Sequence, residues 1–238
     1  MAIVIGVGVL LAAGTATLIE KETSPPSIDD SFWEDLSPEN LKKAPPVLIV
    51  RATHFPESSG MATSVFEDRA VGRNVGLSEL LEAAYGLPFT RMVLPPEFEG
   101  PAQMRFDFLV TITNHPREEF QSEIAKQFGL IVRREIRAAD VLVLRVTNPD
   151  APGLKNNNDT NAYPLANHVR VMSGFFGKPV LDQTGLTGRY GFSPQLPRHG
   201  LEAGREAYKK ALLEQLGLEL VPTNMPIEML VVEKVKQL

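Results

Sequence analysis

An α+β fold with a mainly antiparallel sheet is the class this sequence predicts, on three observations. Short runs rich in Val, Ile, Leu and Phe have strand character. Amphipathic helical segments lie between them. A Gly-Leu pair closes three of those helices, at Gly86-Leu87, Gly129-Leu130 and Gly217-Leu218. With 238 residues the chain is long enough for one large domain or two small ones. Its 43% hydrophobic and 22% charged content is that of a folded globular protein. A net charge of −5 without a basic stripe gives no expectation of nucleic-acid binding. Cysteine is absent, which excludes disulfides, thiolate zinc sites and cysteine nucleophiles together.

From the N-terminus, Ala2 to Ile19 carries no charge. It approaches the roughly 20 residues that span a bilayer, and a buried soluble helix would normally show a polar face. We read 1–19 as an apolar helix, either a membrane anchor or signal-like, with an uncleaved anchor favoured. No Lys or Arg precedes the run and no small-x-small cleavage site follows it, so a longer natural N-terminus is one expectation. Residues 20–46 are polar and proline-bearing and read as a linker. Within it, Ser37-Pro38-Glu39-Asn40-Leu41 suits a helix start, and Phe32 and Trp33 suit pinning the segment onto the domain.

Residues 47–238 form the expected α+β domain, with two packed lobes at 47–147 and 168–238 as an option. Val47 to Ala52 is a strand by its β-branched content. Leu77, Leu80, Leu81, Ala84 and Tyr85 share one helical face, and Gly86 ends that helix. Further helices are expected from about Arg117 to Phe128, from His168 to Phe176 and from about Leu201 to Leu216. After each Gly-Leu we expect an extended segment, a turn and a second strand. Leu142 stands at the same offset from Gly129 as Leu230 from Gly217. The expectation is a repeated helix-Gly-strand-turn-strand unit whose helices pack on one side of the sheet. Lys178 to Phe192 is expected as a hairpin with arms at 179–181 and 189–192, its turn eased by Gly185 and Gly188.

Several phrases in order carry a resemblance. They are Gly72-Arg73-Asn74-Val75-Gly76-Leu77, Arg105-Phe106-Asp107-Phe108, Gln127-Phe128-Gly129-Leu130, Asn148-Pro149-Asp150-Ala151-Pro152-Gly153 and Gln215-Leu216-Gly217-Leu218. The most specific is Asp182-Gln183-Thr184-Gly185-Leu186-Thr187-Gly188-Arg189-Tyr190. Together they resemble the soil-associated bacterial family of unknown function, whose members are typically exported or membrane-anchored. The resemblance implies no reaction and no catalytic residue. Related domains are joined in some proteins to thioredoxin-like or membrane-peptidase modules. This chain has neither Cys-x-x-Cys nor His-Glu-x-x-His, so neither chemistry transfers.

Residue types for catalysis exist without a pattern that unites them. None of the four histidines, His54, His115, His168 and His199, has a second ligand at helical metal-binding spacing. No Gly-x-Ser-x-Gly elbow is present. The candidate surface or turn residues are Asp182, Thr184, Gly185, Gly188, Arg189 and Tyr190, with no catalytic, cofactor-binding or metal assignment. Asp182 beside a Thr-Gly turn suits either a base or, more simply, an acceptor for turn amides. Arg133, Arg134, Glu135 and Arg137 read as a solvated strand edge.

The reading is an envelope-anchored binding or protein-interaction module without evident catalysis. Its soluble domain is expected in the periplasm or outside the cell, and its partner is a protein or small ligand of the envelope. Loops 88–104 and 148–167 are the expected contact surfaces. Alternatives are a hydrolase that uses Asp182 with a histidine, and a regulatory or sensory domain.

Overall fold

The computed structural model describes residues 28–66, 69–98, 104–155, 162–197 and 200–235. The expected apolar helix at 2–19 lies outside them. Among the described residues no helix is long and apolar enough to cross a membrane. The fold is α+β and divides into two compact units. Of the described residues, those within 28–87, 94–132 and 232–235 make up one, and those within 88–93 and 133–231 the other.

In the first unit a 3-10 turn, Asp30–Glu34, leads to α1, Pro38–Lys43. Ser37 caps α1 by accepting a hydrogen bond from the Asn40 amide, and proline occupies the first helical turn. Then come β1 (Leu48–Ala52), β2 (Ala62–Phe66), β3 (Arg69–Val75), α2 (Leu77–Tyr85), β4 (Met92–Val93), β5 (Phe106–Val110) and α3 (Pro116–Phe128). Of these, β4 belongs to the second unit. The sheet order is β1-β5-β3-β2, and every pairing is antiparallel.

Alternation along the central strand builds two cores. Leu109 joins Val71, Trp33, Leu41 and Val47 on one face. Phe108 meets Phe120 of α3 on the other, with ring centroids 5.1 Å apart. The segment expected as a linker is therefore folded over its described part: Trp33 and Leu41 are fully buried. It also places α1 across the sheet from α3, so in this unit helical segments cover both faces rather than one. Gln121 ties α3 to α2 by donating to the Ala84 carbonyl at 2.8 Å, near the Gly86 cap.

In the second unit, β6 (Leu130–Val146), α4 (Pro152–Lys155), β7 (Tyr163–Pro164), α5 (Leu165–Phe176), β8 (Val180–Asp182), β9 (Arg189–Tyr190), α6 (Leu201–Leu216) and β10 (Leu218–Lys234) succeed one another along the chain. The division between the units falls near the start of β6 and near the end of β10. The second sheet runs β4-β10-β6-β8, and its two outer pairings are parallel. β6 and β10 run in opposite senses: Arg134 meets Glu228, Asp140 meets Asn224, and the Thr147 amide donates to Gly217. Leu142, Leu144, Leu218 and Leu220 pack one face of this ribbon against α5 and α6 through Met172, Phe176, Tyr208, Leu212 and Leu216. Arg205 of α6 donates to the Phe175 and Phe176 carbonyls and so caps the C-terminus of α5.

Two expectations about strands change. After Gly129 and Gly217 the chain runs as single strands of 17 residues, so the strand-turn-strand units do not form. Both glycines are left-handed helix caps, with φ of 62° and 60°, and each releases the chain directly into one long strand. The arms of the expected 178–192 hairpin also part: β8 pairs in parallel with β6, and β9 pairs with β7. A strand beside the buried centre of β6 gains apolar contacts that a short isolated hairpin cannot offer.

The edges of the ribbon are guarded by sequence. Pro222 and Pro226 remove two amide donors from β10. On β6, Glu135 is held between Arg133 and Arg137, and these hydrogen bonds pull its carboxyl below the usual range.

Gly217→Ala should destabilise the protein by about 2 kcal/mol or more, because a Cβ would add overpacking to left-handed strain. That Cβ would sit 2.2 Å from the Asn148 carbonyl oxygen. Gly86→Ala has the same sign of φ but open space, so it should cost about 1 kcal/mol, the strain alone. Urea unfolding of both variants checks the order, and equal losses would contradict it. Burial pushes the Tyr208 phenol up to about 12. Its unfolded value is about 10, so the stability it contributes is complete below pH ~10 and is lost as pH rises towards 12. Tyrosinate absorbance should lose its most alkaline component in Tyr208→Phe.

Candidate functional site

The turn singled out in the sequence is closed on itself. Asp182 Oδ1 accepts from the Thr184 amide at 2.8 Å and from its hydroxyl at 2.7 Å. Thr184 Oγ1 in turn accepts from the Leu186 amide at 3.1 Å. Gly185 takes a φ of 70°. A Cβ on Gly188 would meet the Tyr190 hydroxyl at 2.7 Å, so the glycine lets that ring lie close. Arg189 donates to the Ala162 carbonyl, and Tyr190 is buried. The Tyr190 carbonyl accepts from His168 Nε2 at 2.8 Å. A carbonyl only accepts, so Nε2 carries the proton. Among the described residues no histidine bonds Asp182. His115 starts α3 in a left-handed conformation, and His199 lies outside the described residues.

A denser polar constellation sits in the first unit, on the Trp33 face of the sheet. Its origin is a β-bulge. Gly72 pairs with Phe108 and Val75 with Phe106, so β3 holds one residue more than β5 between those rungs. Asn74 absorbs it at φ 57°, a conformation that Asn tolerates better than most residues. Its amide turns to Asp107 Oδ1 at 3.0 Å. Asp107 is fully buried, and its Oδ2 accepts from Arg51 Nε at 3.4 Å. Arg51 stands directly across the β1–β5 pairing from Asp107, so strand register brings the charges together.

The outer layer rests on that base. The Arg51 guanidinium lies 5.0 Å over the Trp33 ring, a cation–π contact that fixes its plane. Its Nη2 is 3.6 Å from Asp30 Oδ1. Asp30 Oδ2 is 3.0 Å from His54 Nε2, and the His54 ring stacks on Phe55. Arg73 lies over the other ring partner, Phe55, and donates to the Trp33 and Ser59 carbonyls. Trp33 Nε1, Arg51 Nη2, Arg73 Nε and Asn74 Oδ1 are buried with no hydrogen-bond partner. Such atoms are few in folded proteins and concentrate where function or strain resides. The arrangement offers N–H donors and a half-exposed imidazole to an acceptor-rich ligand. It shows no nucleophile with an adjacent base.

Sequence reasoning passed over Asp30, Arg51, Asn74 and Asp107. The legible signal was a single charge inside each of two apolar strands, Leu48-Ile49-Val50-Arg51-Ala52 and Phe106-Asp107-Phe108-Leu109-Val110. Two such charges on neighbouring strands suggest a pair, but only register shows that they face each other.

A protein-family model described as "Protein of unknown function (DUF3738)" matches residues 78–235. The match contains the 182–190 turn, Arg105 and Asp107, while Asp30, Trp33, Arg51, His54 and Asn74 precede it. No curated protein and no solved structure matches the chain.

Asp107→Ala should cost about 3 kcal/mol, since it strands the Asn74 amide and the Arg51 guanidinium. Asp182→Ala removes only an exposed turn acceptor and should cost about 1 kcal/mol. Denaturant midpoints of the two variants test the ranking, and a larger loss in the turn variant would reverse it.

Proposed function

We propose, for a chain that belongs to the DUF3738 family of proteins of unknown function, that the folded part is a non-enzymatic binding or protein-interaction module. In this reading residues 2–19 tether it to a membrane, and the module faces the periplasm or the cell exterior. Its partner is a protein or small ligand of the envelope. The helix-Gly-strand segments α3–β6 and α6–β10 are read as two copies of one unit, supported by the matching caps at Gly129 and Gly217.

The observation that carries the binding reading is the Arg51–His54 surface. Arg51 is oriented from below by Asp107 and from the side by Trp33, yet about a third of its side chain remains exposed. A cation held in one orientation at a solvent boundary loses little freedom when it binds. The hydrolase alternative rests on Asp182, whose Oδ1 is already engaged twice by Thr184.

Full-length protein and its Arg51→Glu variant, expressed at equal levels, should be compared by crosslinking in intact cells. The reading expects a discrete partner or ligand adduct that the charge reversal reduces at least about tenfold, a loss of roughly 1.4 kcal/mol. Identical adduct patterns would contradict it. Deleting residues 2–19 should release the protein from the membrane fraction, and continued sedimentation would overturn the tether.

A further inference from the structure

We propose that Arg51 and His54 form a site for a small carboxylate, and that Asp30 holds this site as an internal occupant. The inference rests on the binding reading above and names its ligand class.

Asp30 shows what the site accepts. Its carboxylate bridges the two side chains, 3.0 Å from His54 Nε2 and 3.6 Å from Arg51 Nη2. The second distance is an ion pair but too long for a hydrogen bond. Arg51 Nη2 is thereby left as a buried N–H without an acceptor. Guanidinium and carboxylate normally close to about 2.8 Å. Asp30 belongs to the 3-10 turn that Trp33 anchors in the core, and the Trp33 carbonyl is held by Arg73. The turn therefore sets how far its carboxylate reaches. A free carboxylate has no such tether and can meet both groups at hydrogen-bond distance.

The receiving groups are fixed, and the carboxylate that covers them is exposed. Arg51 is oriented by Asp107 and Trp33, and His54 by its stacking on Phe55 at 4.4 Å. Asp30 and His54 keep 63% and 48% of their side chains exposed, so displacement needs no opening of the core. Charged groups in contact with this cluster include Arg51, Arg73, Asp30 and Asp107. Removing Asp30 takes a negative charge from beside the Arg51 cation, which favours an incoming anion.

The test uses the full chain with Asp30→Ala and wild type, titrated with sodium acetate at fixed pH and ionic strength while the His54 ring signals are followed by NMR. The expected result is a saturable shift in both proteins, about tenfold tighter in the variant, because the occupant no longer competes. Adding Arg51→Lys, which keeps a cation beside Asp107 but lacks the fork, should weaken acetate binding at least about tenfold with the fold retained. No saturable shift in folded Asp30→Ala would overturn the site. Equal affinity with and without Asp30 would overturn the occupant. Phosphate binding as tightly as acetate would overturn the carboxylate class. A partner adduct in cells that persists when acetate binds neither protein would sink this inference while leaving the module reading in place.

Discussion

Asp107 is the constraint on which the first compact unit turns. A carboxylate with no exposed surface, on the central strand of an antiparallel sheet, is costly to bury unless its oxygens are occupied. One oxygen takes the amide that the Asn74 bulge releases from the ladder, and the other takes Arg51 across the strand pairing. The bulge, the left-handed Asn74 and the single arginine of β1 thus explain one another. Each would be unfavourable alone. Arg51, once held, provides the cation on which Trp33 lies, and Trp33 brings the 3-10 turn and Asp30 into place. Local strain in β3 is in this way converted into a fixed surface of charge.

The second unit is organised by a different device. Gly217 ends α6 in the left-handed region and sends the chain straight into β10, whose first residues share a core with that helix. Ser173 gives α5 the corresponding link to β8: its hydroxyl donates to the Val169 carbonyl and accepts the Val180 amide. Phe175, Phe176, Phe192 and Tyr208 then form a chain of tilted and edge-on rings between α5 and α6. Such pairs add to the area that the rings bury, and the same burial raises the Tyr208 phenol.

Local chemistry was legible from sequence where it depended on neighbours in the chain. The apolar face of α2, the glycine caps and the start of α6 at Leu201 come from periodicity and capping, and the structure keeps them. Partner choice was not legible. Residues 179–181 and 189–192 have the look of hairpin arms, but the strands formed there each found another partner, because a neighbour's burial decides pairing more than the turn between them does. The long strand after Gly129 was legible only in part: Arg133, Arg134, Glu135 and Arg137 read as a solvated strand edge and the ribbon keeps them there, but the turn expected between this stretch and Val141 does not form. The candidate site was the least visible part. Asp182 stood out by its turn motif, while Asp30, Arg51 and Asp107 come from three distant stretches, the last two brought together by sheet register and the first by the Trp33 anchor.

The central claim is that Asp107 secures the bulged rung beneath the Arg51 surface. Native-state hydrogen exchange at the Asn74 amide tests it most directly, because that N–H has a side-chain acceptor in place of a ladder partner. The account predicts exchange as slow as that of the Leu109 amide in the centre of β5, both opening only with the whole unit. Exchange of Asn74 at the rate of an exposed loop amide, with Leu109 still protected, would contradict it.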